Sequence, residues 1–136
     1  MISGIREWVK QATSKLEANS IVIFGSTARR EALPYSDVDI LIISKKFKKM
    51  KTEDRIRLIL ETWNINKPVH PICLTPEEAE KMTNKPLMWE ICRKPEILTD
   101  DGTFKKIRHK TLKYLKTNKI IRKKYWYTTN KEKKHL

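Results

Sequence analysis

Two short apolar runs limit what this chain can become: Ile21-Val22-Ile23-Phe24, and the stretch through Leu41 and Ile42 that ends at Ser44. The first is an unbroken β-branched and aromatic run, which suits a strand covered on both faces. A tight Gly25-Ser26 turn follows it, then a short helix through Ala28 and Arg29, a loop at Pro34 and a second strand. In that second strand Asp37 and Asp39 are one residue apart. Side chains alternate along a strand, so both carboxylates leave the same face with Cα atoms roughly 6.6 Å apart. Two acidic groups this close repel unless a cation lies between them. Hard oxygen ligands suit a divalent ion such as magnesium.

Gly25 permits close backbone approach and a positive φ. Ser26 stands at the start of the helix, where amides, a hydroxyl and the helix dipole attract a phosphate. A phosphate cradle beside a metal-binding carboxylate pair makes a place for a metal-bound nucleoside triphosphate. No Walker-type glycine-lysine pair occurs, so the P-loop solution is excluded.

At these residues the chain resembles the DNA polymerase beta-like nucleotidyltransferase superfamily, and most closely its minimal nucleotidyltransferases. The shared features are Gly25-Ser26, a ten-residue spacing, Asp37-Val38-Asp39, Ala28-Arg29 after the turn, Ser36 before the first Asp and Leu41-Ile42 after the second. The resemblance runs from about residue 21 to about residue 102. It implies an α/β (α+β) fold, a small mixed sheet with flanking helices. It also implies that Asp37 and Asp39 hold one or two magnesium ions. Gly25 and Ser26 would bind the β- and γ-phosphates, with Arg29 neutralising charge nearby. The implied reaction moves a nucleoside monophosphate from a triphosphate to a hydroxyl of an RNA or protein acceptor. Such minimal members pair with HEPN proteins in toxin–antitoxin modules, so a HEPN-type partner is implied too.

Two departures from the family pattern stand out. Active relatives generally carry a third carboxylate on the strand that here reads Pro68-Val69-His70-Pro71-Ile72-Cys73-Leu74, and the matching position is His70. A neutral imidazole can bind a metal or take a proton near pH 7. The plainer expectation is a partly buried, hydrogen-bonded histidine. Arg30 stands where many relatives have glycine, and is expected to alter the turn or add a phosphate contact. The missing carboxylate leaves an alternative open: a catalytically weak or inactive module of the same fold that binds RNA or a partner protein.

The rest of the chain reads as scaffold. Ile2, Ile5, Val9, Ala12 and Leu16 mark an amphipathic helix closed by Asn19-Ser20. A second helix is expected over 52–63, with Thr52 as N-cap and Ile56, Ile59, Leu60 and Trp63 on one face. A strand over 69–74 contains Pro71, which argues for an edge. Thr75, Pro76 and Glu78 open a capped helix. A short helix over 86–94 and a last strand over 95–99 follow. Asp100-Asp101-Gly102 is read as a turn rather than a replacement carboxylate pair.

Charge divides the chain. Residues 1–104 carry 17 Lys/Arg against 15 Asp/Glu, whereas 105–136 carry 13 Lys/Arg against Glu132 alone. The expected organisation is therefore a nucleotidyltransferase domain over 1–104 and a basic C-terminal helix and tail over 105–136. The tail's lysines, with Tyr125, Trp126 and Tyr127, can bind a phosphate backbone and stack bases, or dock a protein, or simply be solvated. With no apolar run of membrane-spanning length and no signal-peptide core, a cytoplasmic protein is expected. That compartment favours free thiols at Cys73 and Cys92 over a disulfide. A zinc site built from His70, Cys73, Cys92 and His109 matches no compact ligand spacing.

Overall fold

The computed structural model describes residues 2–32 and 36–129. The loop read at Pro34, and Lys131, Glu132, Lys133 and Lys134 of the tail, lie outside the described residues. The elements are α1 (Ile5–Leu16), β1 (Ala18–Phe24), α2 (Gly25–Ala28), β2 (Val38–Ser44), α3 (Thr52–Thr62), β3 (Val69–Leu74), α4 (Pro76–Glu80), α5 (Pro86–Ile91), β4 (Glu96–Asp100), α6 (Thr103–Thr117), β5 (Ile120–Arg122) and β6 (Tyr127–Thr129).

The first four strands form one mixed sheet in the order β3-β2-β1-β4. β1 runs antiparallel to β2 and β4, and β2 runs parallel to β3 through the α3 crossover. The unbroken apolar runs of β1 and β2 follow from burial on both faces. Ile21, Ile23, Ile40 and Ile42 join Trp8 and Leu16 of α1 and Ile59 of α3 in one cluster. Val22, Phe24, Leu41 and Ile43 join Ala79, Met88, Ile91, Phe104 and Ile107 in the other. Pro71 falls on the edge strand β3, as its missing N–H demands.

Cys73 belongs to the first cluster and Cys92 to the second, so the sheet separates them. Both are free and buried. Burial pushes the Cys73 thiol up to about 12 and the Cys92 thiol up to about 11. Neither is available for a zinc site with His70 and His109.

Several local expectations change. Asn19 and Ser20 do not close α1; they belong to β1, which begins at Ala18 opposite Ser44. Phe47, set among Lys45, Lys46, Lys48 and Lys49, is fully buried. Thr52 is the first helical residue of α3 rather than its cap, with Lys51 preceding it. Leu60 is 51% exposed, and the buried stripe of α3 passes instead through Arg55 and Ile59. Arg55 can lie inside because every nitrogen of its guanidinium has a partner. Nη1 donates to the Cys73 carbonyl at 3.1 Å and Glu78 Oε1 at 2.6 Å, Nη2 donates to Glu78 Oε2 at 3.3 Å, and Nε donates to the Met50 carbonyl at 3.1 Å. Glu78 also completes the expected capping box with Thr75.

From Thr103 to Thr129 the basic segment is folded rather than a solvated end. α6 packs Phe104, Ile107 and Thr111 inward, and the chain then turns back as the antiparallel β5–β6 hairpin. Trp89 of α5 anchors that hairpin, meeting Tyr127 edge-on at 4.9 Å while stacking on Tyr114 of α6 at 6.2 Å. Glu90 accepts hydrogen bonds from Arg122 Nε at 2.7 Å and the Tyr127 hydroxyl at 3.0 Å. Burial and the Glu90 carboxylate push the Tyr127 phenol up to about 12. Tyr127 is therefore packed away from its neighbours in sequence, whereas Tyr125 and Trp126 are 80% and 59% exposed. Among the described residues no helix is long and apolar enough to cross a membrane.

Candidate active site

The strand directions bring the sequence motifs together. β1 ends where the antiparallel β2 and its parallel neighbour β3 begin, so the Gly25 turn, the Asp pair and His70 share one end of the sheet. Phe24 pairs with Asp39, and Asp39 with His70. The three thus lie side by side across three strands on one face.

Asp39 is the centre of this arrangement. Its Oδ1 lies 3.1 Å from His70 Nδ1. Gly25 has φ +71°, and a Cβ added there would lie 2.6 Å from Asp39 Oδ2. Glycine is required twice over, for the left-handed backbone and for the approach of the carboxylate. Gly25→Ala is expected to cost about 1–2 kcal/mol in the backbone alone. It should also displace Asp39 and weaken magnesium–triphosphate binding about ten-fold or more. Thermal melting together with titration calorimetry checks both parts, and unchanged affinity would separate the turn from the site.

His70 differs from the expectation of a partly buried side chain. It is 62% exposed, because β3 is the edge strand of the described sheet, while Asp39 is 31% exposed. Asp37 immediately precedes β2 rather than lying within it, and is exposed. Among the described residues no three or more His, Cys, Asp or Glu side chains converge as a metal cage. Magnesium does not need one. It is commonly held by one or two carboxylates, substrate phosphates and water. Asp37 and Asp39 fit an ion that arrives with a triphosphate.

The residues expected to bind phosphate sit on a single helical turn or directly after it. α2 spans only Gly25–Ala28. It ends in a Schellman arrangement: Glu31 N–H donates to the Ser26 carbonyl at 2.8 Å and Arg30 N–H to the Thr27 carbonyl at 3.1 Å. Arg30 therefore occupies the left-handed position that this motif usually gives to glycine, with φ +60°. The expected alteration of the turn is thus a strained backbone at Arg30, where glycine would be at ease. Arg29 Nε donates to Glu31 Oε2 at 3.2 Å, so its charge is already partly met.

Three residues escaped the sequence reading. Arg30 lines a cavity of about 570 Å³ with Thr27, Lys67 and Glu96, among others. The Thr27 hydroxyl is buried with no partner among the described residues. Nothing in the sequence between α3 and β3 marks Lys67. Glu96 pairs with Ile23, one residue from Phe24, so it faces the opposite side of the sheet from Asp39 and supplies no third carboxylate. Asp100 is excluded as well. It pairs with Ser20, four residues from Phe24 and hence roughly 13 Å along β1. Its carboxylate accepts from the backbone N–H groups of Phe104 and Lys105 at 2.9 and 3.1 Å, capping α6.

A mixed sheet with a glycine turn set against a carboxylate at its neighbour's first residues defines a nucleotidyltransferase-type α/β protein. The family model described as a nucleotidyltransferase domain matches residues 3–97, and the chain belongs to that family. A Methanocaldococcus jannaschii protein named "Putative protein adenylyltransferase" is 32% identical over 91 residues, covering 62% of this chain. The chain spans 60% of that relative's length. Two crystal structures share the fold. A toxin-antitoxin with AMP-PNP has a TM-score of 0.59 at 13% identity, covering 82% of this chain and 87% of that one. The toxin-antitoxin MntA-HpeT mutant has a TM-score of 0.57 at 11% identity, with the same coverage.

Proposed function

We propose that the protein transfers a nucleoside monophosphate from a magnesium–nucleoside triphosphate to a hydroxyl on an RNA or protein acceptor. The observation that carries this reading is the meeting of Gly25, Asp39 and His70 at one sheet end, with Asp37 beside them. In the reaction the acceptor oxygen bonds to the α-phosphorus, the bond to the β-phosphate oxygen breaks, and pyrophosphate leaves. Magnesium held by Asp37 and Asp39 would stabilise the charge on the attacking and leaving oxygens. Gly25 and Ser26 bind the β- and γ-phosphates, and Arg29 and Arg30 add positive charge around α2. With Nδ1 engaged by Asp39, His70 keeps Nε2 to receive the acceptor's proton, and its exposure leaves that atom accessible.

A protein partner is supported by fold neighbours from toxin-antitoxin complexes, and a HEPN-type protein is the partner we propose. A cytoplasmic setting agrees with the two free thiols. The second reading, a weak or inactive binding module, is favoured by a single feature, the imidazole at the third-carboxylate position.

His70→Asp separates the two. The β2–β3 register would place the new carboxylate beside Asp39, restoring a base and metal ligand. In reactions with labelled triphosphates, magnesium and RNA or protein acceptors, the wild-type protein should label an acceptor and release pyrophosphate. His70→Asp should label it faster. A protein that binds magnesium–triphosphate but labels nothing, before or after this change, is a binding module.

A further inference from the structure

We infer that the β5–β6 hairpin and the face of α6 leading into it form a binding surface for single-stranded RNA. The inference is independent of nucleotidyl transfer, because it concerns binding by α5, α6 and the hairpin without nucleotide or metal. Three features carry it.

The hairpin tip presents two adjacent exposed rings, Tyr125 and Trp126. The Lys124 ammonium lies 5.4 Å from the Tyr125 ring centroid, so a cation accompanies the ring. Exposed rings of this size are costly to leave in water, yet the strands beneath them are held firmly. The Lys123 N–H donates to the Trp126 carbonyl across the tip at 2.6 Å, and Trp89, Tyr114 and Glu90 grip the base. The rings are therefore displayed on a fixed support.

Charge leads to that tip along one face of α6. Lys105, Lys113 and Lys116 lie on exposed positions of α6, with the exposed His109 on the same face between them, and Lys119 follows at the start of the hairpin. Residues three or four positions apart lie on one helix face. A groove of about 270 Å³ between α5, α6 and the hairpin continues the surface, with Arg93, Arg108 and Arg122 around Leu112 and Trp89.

A line of cations ending in paired aromatic rings matches a phosphate backbone with bases that can stack. Base stacking on aromatics is sequence-tolerant and needs unpaired bases, which selects single strands over duplex. An acidic protein would use the lysines but would have no specific need for the two ring faces.

The test is fluorescence anisotropy of the full chain with a labelled oligouridylate of about twelve nucleotides. Salt is varied from about 50 to 200 mM. Binding should quench the Trp126 emission. Tyr125→Ala with Trp126→Ala should weaken binding about ten-fold or more and leave the salt slope unchanged. Lys113→Gln, Lys116→Gln and Lys119→Gln together should reduce the log–log slope by about 2, at about 0.7 per phosphate contact. All five residues are exposed, and retained melting of each variant verifies the fold. No binding at about 50 mM salt, or an aromatic double variant with wild-type affinity, would overturn the inference. So would a glutamate-rich peptide of equal charge that binds equally well and is equally weakened by the ring deletions, since that marks a protein-docking surface.

Discussion

Asp39→Asn is expected to abolish magnesium–triphosphate binding while the protein remains folded. The carboxylate has one oxygen beside His70 and the other facing Gly25. An amide in its place removes the charge that a magnesium ion needs, and sets an NH₂ group against either the imidazole or the glycine turn. Asp37→Asn should act in the same direction through the second carboxylate, which is more exposed and has less to lose structurally. Both positions lie at the solvent end of the sheet. Relief of like-charge repulsion rarely destabilises, so the melting midpoint should move by no more than about 3 °C. Titration calorimetry with a non-hydrolysable triphosphate reads the affinity. Wild-type binding by both variants would sink the assignment of the site to this end of the sheet.

Arg55→Ala is expected to be strongly destabilising, by about 1–3 kcal/mol. It removes the guanidinium that joins α3 to the start of α4, and it orphans the Cys73 and Met50 carbonyls. The same ion pair makes stability pH-dependent. The Arg55 hydrogen bond, with Thr75 helping, holds the Glu78 carboxyl below its ordinary value of 4.5. A depressed carboxyl contributes stability that is fully present above the unfolded value. That contribution is lost as pH falls through the folded one. Wild-type protein should therefore lose stability on acidification below about pH 4.5, and Arg55→Ala should show a flatter dependence there. The Glu78 side chain is 45% exposed, so solvent screening keeps the difference small beside the loss of the buried arginine. Denaturant unfolding across acid pH measures both, and parallel curves for the two proteins would contradict the role given to the pair.

The sheet was legible because its signals are short-ranged. An apolar run, a glycine turn and two aspartates one residue apart carry their meaning within 24 residues, from Ile21 to Ser44. The edge position of β3 could be read from Pro71, and the start of α4 from Thr75, Pro76 and Glu78. What the sequence could not show depends on long-range partners. Arg55 looks like a surface residue until Glu78 and the Cys73 carbonyl are placed beside it. Leu60 was assigned inward by periodicity alone, but the helix turns a different stripe to the core. Tyr125, Trp126 and Tyr127 look equivalent, and only the reach of Trp89 and Glu90 distinguishes the anchored ring from the displayed pair. At the site itself, the spacing of Gly25 and Asp39 was legible, but not that a missing Cβ makes room for the carboxylate. The exposure of His70 follows from β3 being the edge of the described sheet, which depends on the strand order.

The two flanks of the main sheet are not equivalent, and this bears on how the protein can associate. A proline in an edge strand turns its nitrogen to the open side, so β3 offers an incoming strand a ladder with a missing rung at Pro71. The opposite flank, β4, has no proline between Glu96 and Asp100. Its register instead shifts between Ile97 and Thr99, a bulge of one residue, and Ile97 there is 37% exposed. Lateral growth of the sheet is therefore discouraged at both margins, by a missing donor beside His70 and by a bulge on the far side. The flank that carries His70 stays open to ligands while resisting strand addition.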